Sequence, residues 1–485
     1  MPVKALKVKS TRWYRLFIDP SVMLGFFVAT NSKNTSKILQ HSYIIYMFTQ
    51  SVYRKKNIME RTYIKNLKDH IGKEVVIKGF IHSIRNQGGI KFLQLRDITG
   101  LVQIVVLKSE IDVFNMVPDL TLESVVSIKG LAKEEKQAPS GIEVQALALE
   151  ILSKAEILPI PVMVEKGAED VDITKKFDWR WLDLRRADNK KIFSVWTQLE
   201  KGFREYFYEN NFLQVYMPSL MSTASESGSE VFKVEYFDRN AYLAQSPQFF
   251  KQMAMASDFD RVFVTGPVFR AEPSYTTRHV TEFTGWDFEA SYIDSHEDLM
   301  AMEEQMIIKG FERVKEVYDV VVPTAPFPKM TMVEAKQKLK ELNVSSEKEH
   351  DLSPEEERAI AAYIKETFDH DFLFVTDWHK SVRPFYHMRH DENPDLTKSF
   401  DLLYKGLEIT TGAQREHRVE VLQKQALDKG MNLEDLEDYI NFFKYGCPPH
   451  GGCGIGPARI IMKILDLASV KEAIFLPRDV KRLRP

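Results

Sequence analysis

Between residues 399 and 459, short apolar runs alternate with glycine-rich turns, and charged side chains stand at fixed places in that alternation. Ser399-Phe400-Asp401-Leu402-Leu403 leads into Gly406-Leu407-Glu408-Ile409-Thr410-Thr411-Gly412-Ala413-Gln414-Arg415, and then into Gly451-Gly452-Cys453-Gly454-Ile455-Gly456-Pro457-Ala458-Arg459. Each piece alone reads as a strand end or a tight turn. Together they suit a polyphosphate held with metal ions. Carboxylates such as Asp401 and Glu408 hold Mg²⁺, which keeps oxygen ligands and substrate phosphates. Glycines let backbone approach a nucleotide, and the guanidinium of Arg415 or Arg459 matches phosphate oxygens.

A second constellation lies upstream. The apolar run Arg261-Val262-Phe263-Val264-Thr265 and the alternation from Thr284 to Ala290 flank a polar loop, which predicts an antiparallel hairpin. That hairpin carries Val268-Phe269-Arg270-Ala271-Glu272 on one arm and Thr276-Thr277-Arg278-His279-Val280-Thr281-Glu282-Phe283-Thr284-Gly285-Trp286-Asp287-Phe288-Glu289 on the other. An Arg ending one strand and an acid on the facing strand would flank a bound ligand.

With these motifs in place the chain resembles the class II aminoacyl-tRNA synthetases, and among them the aspartyl enzymes of archaeal and eukaryotic type. Residues 268–289 resemble motif 2, residues 451–485 motif 3, and Val195 to Pro218 the helix and strand of motif 1. The resemblance spans about residues 59–485. It implies an α+β chain: an OB-fold barrel, then a catalytic domain built on an antiparallel sheet flanked by helices. The expected divisions are an extension over 1–58, an anticodon-binding barrel over 59–155, a hinge over 156–188 and a catalytic domain over 189–485.

The resemblance implies ATP-dependent attachment of aspartate to tRNA through an aspartyl-adenylate, with Mg²⁺ at Asp401 and Glu408. Arg270 would grip the α-phosphate and Arg459 the γ-phosphate. Arg278 and His279 would sit near the triphosphate, Phe283 would stack on adenine, and Glu272 would orient adenine or the tRNA end. Lys251 and Arg415 would meet the aspartate side chain, with Thr411 also in that pocket. Glu226, Gln248 and Asp287 would hold the ammonium, Glu226 on a Ser/Gly-rich loop able to close on substrate. Motif 3 usually reads Gly-Leu-Glu-Arg or Gly-Ala-Glu-Arg, and here reads Gly456-Pro457-Ala458-Arg459; Pro is tolerated in a first helical turn.

Closely spaced short strands from Glu74 to Leu152 predict a five-stranded OB barrel, a module that binds single-stranded nucleic acid by stacking. By resemblance, Phe92 and Gln103 would read the central anticodon uridine. His82 and Pro139 match the pair carried by members that also charge tRNA(Asn). That implies a non-discriminating enzyme and a separate amidotransferase converting Asp-tRNA(Asn). The family also implies a homodimer with Pro218 at its interface. An asparaginyl enzyme, or a tRNA-independent paralogue, is the rival reading.

Composition sets outer bounds. The net charge of −3 over 485 residues hides a basic extension, whose first 58 residues hold ten Lys or Arg against Asp19 alone. The apolar run Val22 to Ala29 is too short for a membrane span, so the extension reads as a mis-assigned start before Met59, a transit peptide or a poorly ordered tail. Two cysteines, Cys447 and Cys453, with His450 between them are too few for a closed zinc site. The default compartment is the reducing cytoplasm. The charged run Lys336 to Glu366 reads as a solvated helical insertion.

Overall fold

The computed structural model describes residues 12–15, 27–30, 60–163, 169–222, 231–273 and 276–484. Within the extension, Arg12–Arg15 (β1) pairs antiparallel with Phe27–Thr30 (β2), and the rest of that segment lies outside the described residues. The chain divides into two compact units, Met1–Leu158 and Pro159–Pro485.

In the first unit Glu74–Gln87 (β3), Ile90–Arg96 (β4), Leu101–Leu107 (β5), Val125–Glu134 (β6) and Ile142–Ser153 (β7) close into a barrel in the order β3-β4-β5-β7-β6. Strict alternation drives the closure. Leu93, Leu95, Val102, Ile104 and Val106 fill the interior, so Gln94 and Gln103 between them face outward. The five-stranded expectation is met.

The second unit is built on an eight-stranded sheet. Its members are Leu213–Gln214 (β8), Arg261–Phe269 (β12), Glu282–Ser291 (β13), Lys329–Thr331 (β14), Phe372–Thr376 (β15), Ser399–Tyr404 (β16), Leu407–Gln414 (β17) and His450–Ile455 (β18). They run in the order β14-β15-β16-β17-β18-β13-β12-β8, and Leu220–Met221 (β9), Lys233–Tyr236 (β10) and Arg239–Leu243 (β11) form a separate small sheet. The six central strands of the large sheet are antiparallel, as expected, while the edge pairs β14·β15 and β12·β8 are parallel. The hairpin expected from the two apolar runs is β12·β13, with Val264 opposite Asp287.

Helices Ala187–Glu209 and His296–Lys315 cover one face. Ile192, Val195, Leu199, Phe203, Tyr206 and Phe207 recur at helical spacing and pack on Phe263, Trp286 and Phe288 of the sheet. The helices touch at Gly202, where an added Cβ would lie 2.5 Å from the Lys309 carbonyl oxygen. Segment 169–186 packs within this same unit. The buried Arg180 pairs with Asp183 at 2.7 Å and donates to the carbonyls of Glu472, Ile474 and Phe475, while Trp196 donates to that of Ala473. Orphan carbonyls of the C-terminal turn are thereby satisfied.

The charged run departs from expectation. Helices Met332–Glu341 and Pro354–Phe368 bury Ala335, Leu339, Ile360 and Ile364 against Leu373, Val375 and Trp378, so only their outer faces are solvated. The small and aliphatic residues between the charges carry the contact, and Glu356 and Glu357 are themselves buried.

Beneath the sheet one acid stands apart. Glu303 has 0% exposure, and neither of its carboxylate oxygens has a hydrogen-bond partner among the described residues. Burial pushes its pKa up to about 8, so the folded state holds a proton that the unfolded chain releases at the ordinary carboxylate value. Stability should therefore fall as pH rises between about 4.5 and about 8, at about 1.4 kcal/mol per pH unit for this single proton. Urea midpoints of the wild type and of Glu303→Gln should diverge over that window, the Gln variant losing less; parallel slopes would show that Glu303 is ionised in the fold.

Candidate active site

The cleft lies on the face of the sheet turned away from the two long helices. On β13, Trp286, Phe288 and Ala290 point into the helix-side core, so the period of two turns Asp287 and Glu289 to the other face. On β16 and β17, Leu402 pairs with Thr410 but Leu403 pairs with Glu408, which leaves Ile409 as a bulge residue. The bulge resets the alternation and puts Glu408 and Thr411 on one face, where the Thr411 hydroxyl donates to Glu408 Oε1 at 3.2 Å. Asp401 stands directly across from Thr411.

The cleft wall collects Gln248, Arg270, Glu272, Arg278, His279, Phe283, Asp287, Glu408, Thr411, Arg415 and Arg459, eleven of the residues singled out from the sequence. Arg270 leaves β12 with its N–H on the Thr281 carbonyl and its guanidinium 5.5 Å from the Phe283 ring centroid. Arg459 belongs to helix Pro457–Ile464, which opens with Pro457 at its first position as expected. Its Nη1 donates to the Glu408 carbonyl at 2.8 Å and lies 3.6 Å from Glu408 Oε1. Burial, then the neighbouring Arg459, lowers the pKa of His279. A neutral imidazole and three guanidiniums thus line the side of the cleft where a polyphosphate would be welcome.

At the other end lies an enclosed ionic cluster. Lys251 ion-pairs with Asp287 at 2.9 Å and Glu289 at 3.2 Å, and Arg415 Nε donates to Glu289 Oε1 at 3.0 Å. Arg415 also donates to Gln248 Oε1 at 3.0 Å and to the Gly452 carbonyl at 2.8 Å. Burial raises the pKa of Asp287, whereas Arg415 and Lys251 outweigh burial at Glu289 and hold it low. Gly452 is required here: an added Cβ would meet the Phe288 carbonyl oxygen at 2.0 Å and Glu289 Oε2 at 2.4 Å. That glycine therefore makes room for a carboxylate rather than for a nucleotide.

Two expected residues stand behind the cleft wall. Lys251 has 0% exposure and its ammonium is enclosed by the cluster, so it contributes charge from beneath the surface. Asp401 is buried and ion-paired with Arg383 at 2.7 Å, and burial pushes its pKa up to about 6. Its other oxygen, Oδ1, is buried with no hydrogen-bond partner among the described residues, near enough to Glu408 to feel its charge. Among the described residues no group of three or more His, Cys, Asp or Glu side chains could hold a metal by itself. Two carboxylates completed by phosphate oxygens are nevertheless how Mg²⁺ is commonly held, and these residues fit that arrangement. Glu226 lies outside the described residues.

Sequence reasoning missed three residues. Glu357, on helix Pro354–Phe368, forms a short ion pair with Arg278, and burial pushes its carboxyl up to about 7. Arg383 and His387 line the cleft from the Arg383-Pro384-Phe385-Tyr386-His387 segment. The available signal was charge and imidazole interrupting an aromatic run.

On the barrel, Phe92 is half-buried on the outer face opposite Val105, not in the interior. Gln103 shares that face, mostly buried, and donates to Glu143 at 3.2 Å. His82 sits at a bulge in β3, its Nδ1 3.1 Å from Arg96, which is itself locked to Glu123 by two bonds of 2.9 and 2.7 Å. Pro139 is exposed in the β6–β7 loop.

Family models agree with both units: residues 172–480 match the class II tRNA synthetases (D, K and N), and residues 75–152 match the OB-fold nucleic acid binding domain. The chain is a class II aminoacyl-tRNA synthetase. It is 42% identical to the aspartate–tRNA(Asp/Asn) ligase of Aeropyrum pernix, over 86% of this chain and 96% of that one. It is 36% identical to the aspartate–tRNA(Asp) ligase of Pyrococcus furiosus, over 88% of this chain and 100% of that one. Among solved structures, the asparaginyl-tRNA synthetase of Pyrococcus horikoshii complexed with asparaginyl-adenylate is similar at a TM-score of 0.81 and 31% identity, over 88% of this synthetase and 100% of that chain.

In this synthetase Glu357 already occupies Arg278, so a phosphate arriving there would have to displace it. Glu357→Gln should lower the KM for ATP by about two- to fivefold, the equivalent of a partly screened ion pair, and leave the amino-acid KM unchanged in pyrophosphate exchange. An increased KM for ATP would show that Glu357 aims Arg278 at the triphosphate instead.

Proposed function

We propose that this synthetase joins L-aspartate to tRNA(Asp) and also to tRNA(Asn), using ATP with Mg²⁺. The observation that carries the reading is one cleft with an arginine-lined end and an ionic amino-acid end. The aspartate α-carboxylate oxygen attacks the α-phosphorus, the bond to pyrophosphate breaks, and a ribose hydroxyl of tRNA then displaces AMP. Such transfers gain chiefly from alignment and charge stabilisation, so no side-chain nucleophile is needed.

Arg270 binds the α-phosphate and the charge developing there, with Phe283 as the ring for adenine and Glu272 beside it. Arg459, Arg278 and His279 bind the outer phosphates. Asp401 and Glu408 would hold Mg²⁺, which neutralises phosphate charge. Asp287 and Gln248, with Glu226, receive the ammonium; Arg415 receives the side chain, its charge reinforced from below by Lys251. Thr411 orients Glu408 at the junction of the two ends. The identity of 36–42% to ligases named for aspartate favours this over the asparaginyl alternative.

Outward-facing Phe92 and Gln103 form the surface for the central anticodon base, and His82 and Pro139 leave the first base unselected. A tRNA-dependent amidotransferase would then consume Asp-tRNA(Asn). The synthetase works as a homodimer through the motif 1 region, where Tyr208, Leu213, Tyr216 and Leu220 are exposed, Tyr216 by 79%. No helix among the described residues is long and apolar enough to cross a membrane, and the proposed compartment is the cytoplasm.

Aspartylation of purified tRNA(Asp) and tRNA(Asn) by the full chain tests this. Charging rates for the two within about tenfold of each other support the relaxed reading, and His82→Trp with Pro139→Lys should then depress tRNA(Asn) charging selectively. Charging of tRNA(Asp) alone would remove the tRNA(Asn) role and keep the rest.

A further inference from the structure

We propose that His82 is a base-contacting residue of the anticodon surface. Held in one tautomer by Arg96, it donates Nε2–H to O2 of the base that pairs with the first codon letter, the acceptor that cytosine in tRNA(Asp) and uracil in tRNA(Asn) have in common. This rests on the relaxed-specificity reading above and names the atom behind it.

Strand register places His82 on the same face as Phe92 and Gln103. On the outside of the barrel Ser83 pairs with Gln94 and Gln94 with Gln103, while Phe80 pairs with Arg96 two residues further along. The register shift between Ile81 and Ser83 inserts His82 between these two rows. Ile81 is buried in the barrel core, and the extra residue beside it leaves the strict alternation. It leaves outward, half-buried, with Nδ1 at 3.1 Å from Arg96 Nη1. The two rows are one strand repeat apart, about 7 Å. A single strand of RNA whose central base lies on Phe92 and Gln103 therefore brings a neighbouring base over His82.

The hydrogen-bond inventory fixes what His82 can offer. A guanidinium only donates, so His82 Nδ1 accepts the Arg96 bond, and a neutral imidazole that accepts at Nδ1 carries its proton on Nε2. Arg96 cannot turn aside to permit the other tautomer. Its Nη1 and Nη2 are bonded to Glu123 at 2.9 and 2.7 Å, and the two side chains are buried together. Burial, then Arg96, lowers the pKa of the ring, in agreement with the neutral form. Nε2, at the outer corner of the ring, is not among the enclosed polar atoms that lack a partner, and it is the nitrogen that faces an incoming base.

One fixed donor does not separate the two pyrimidines. Cytosine presents an amino donor with N3 and O2 as acceptors, and uracil presents an N3–H donor with O4 and O2 as acceptors. Only O2 is an acceptor at the same place in both. Discrimination needs a difference in binding free energy between the two partners, and a contact to the shared atom supplies none.

The test is aspartylation by the full chain of tRNA(Asp) and tRNA(Asn) carrying either the natural pyrimidine or its 2-thio analogue at that position, sulfur being the weaker acceptor. With the wild type, the thio base should raise the tRNA KM about fivefold in both tRNAs. His82→Phe keeps a ring and removes the donor. It should raise the KM of both natural tRNAs by a similar factor and show no further loss with sulfur. His82→Gln places an amide nitrogen near the position of Nε2, and should recover most of the affinity together with the sensitivity to sulfur. A wild-type KM indifferent to sulfur, or an equal sulfur effect in the wild type and His82→Phe, would overturn the proposal and leave His82 a packing residue on Arg96. Charging of natural tRNA(Asp) alone would overturn the relaxed-specificity reading itself, and is visible before any thio base or variant is made.

Discussion

Two cations and two carboxylates enclosed together, Lys251, Arg415, Asp287 and Glu289, are the interaction on which the enclosed end of the cleft depends. Desolvating four charges is costly, and the mutual attraction offsets that only when the geometry is good and the remaining protons find oxygens. Both conditions hold: the ion pairs lie at 2.9 to 3.2 Å, and backbone carbonyls of Phe288, Gly452 and Cys453 take up further protons. Removing one member would strand the others, at about 3 to 5 kcal/mol for a buried pair. The return is precision, because Arg415 cannot swing away.

That cluster exists because β18 runs beside β13 with almost no side-chain bulk. Gly452 and Gly454 give Glu289 and Asp287 their space, while Gly451 makes room on the helix side for Leu299 and Ile293. At the arginine-lined end the organising device is a single bulge residue, Ile409, which brings Glu408 round to the face of Thr411 and sets both against Asp401. The helices over 332–368 bury one side against the sheet and deliver Glu357 to Arg278, so a segment with the composition of a solvated insertion reaches the cleft. In the barrel a bulge plays a similar part, turning His82 toward Arg96 and out of the simple alternation.

Much of the architecture was legible from pattern. Period-two alternation gave the barrel strands and the β12·β13 hairpin, because a sheet with one buried face must place apolar residues on every second position. Arg270, Arg415 and Arg459 were legible because each follows a strand end or opens a helix within a recognisable motif. Lys251 and Asp401 were identified as participants, but their enclosure was not, since burial depends on partners from other elements of the chain, Glu289 for Lys251 and Arg383 for Asp401. Glu357, Arg383 and His387 gave almost no local signal, because charge and imidazole are ordinary on loops and helix surfaces.

The amino-acid sequence by itself determined the α+β class, the barrel followed by a sheet-based catalytic unit, and most of the charged groups that line the cleft. These follow from local periodicity and from motifs whose residues are close in the chain. Tertiary structure alone decided which protons remain available. Whether Lys251 can reach a substrate, which oxygens the N–H groups of Arg415 serve and what holds Arg278 in place are settled by contacts between distant segments, because hydrogen-bond saturation is a property of the packed neighbourhood and not of the residue.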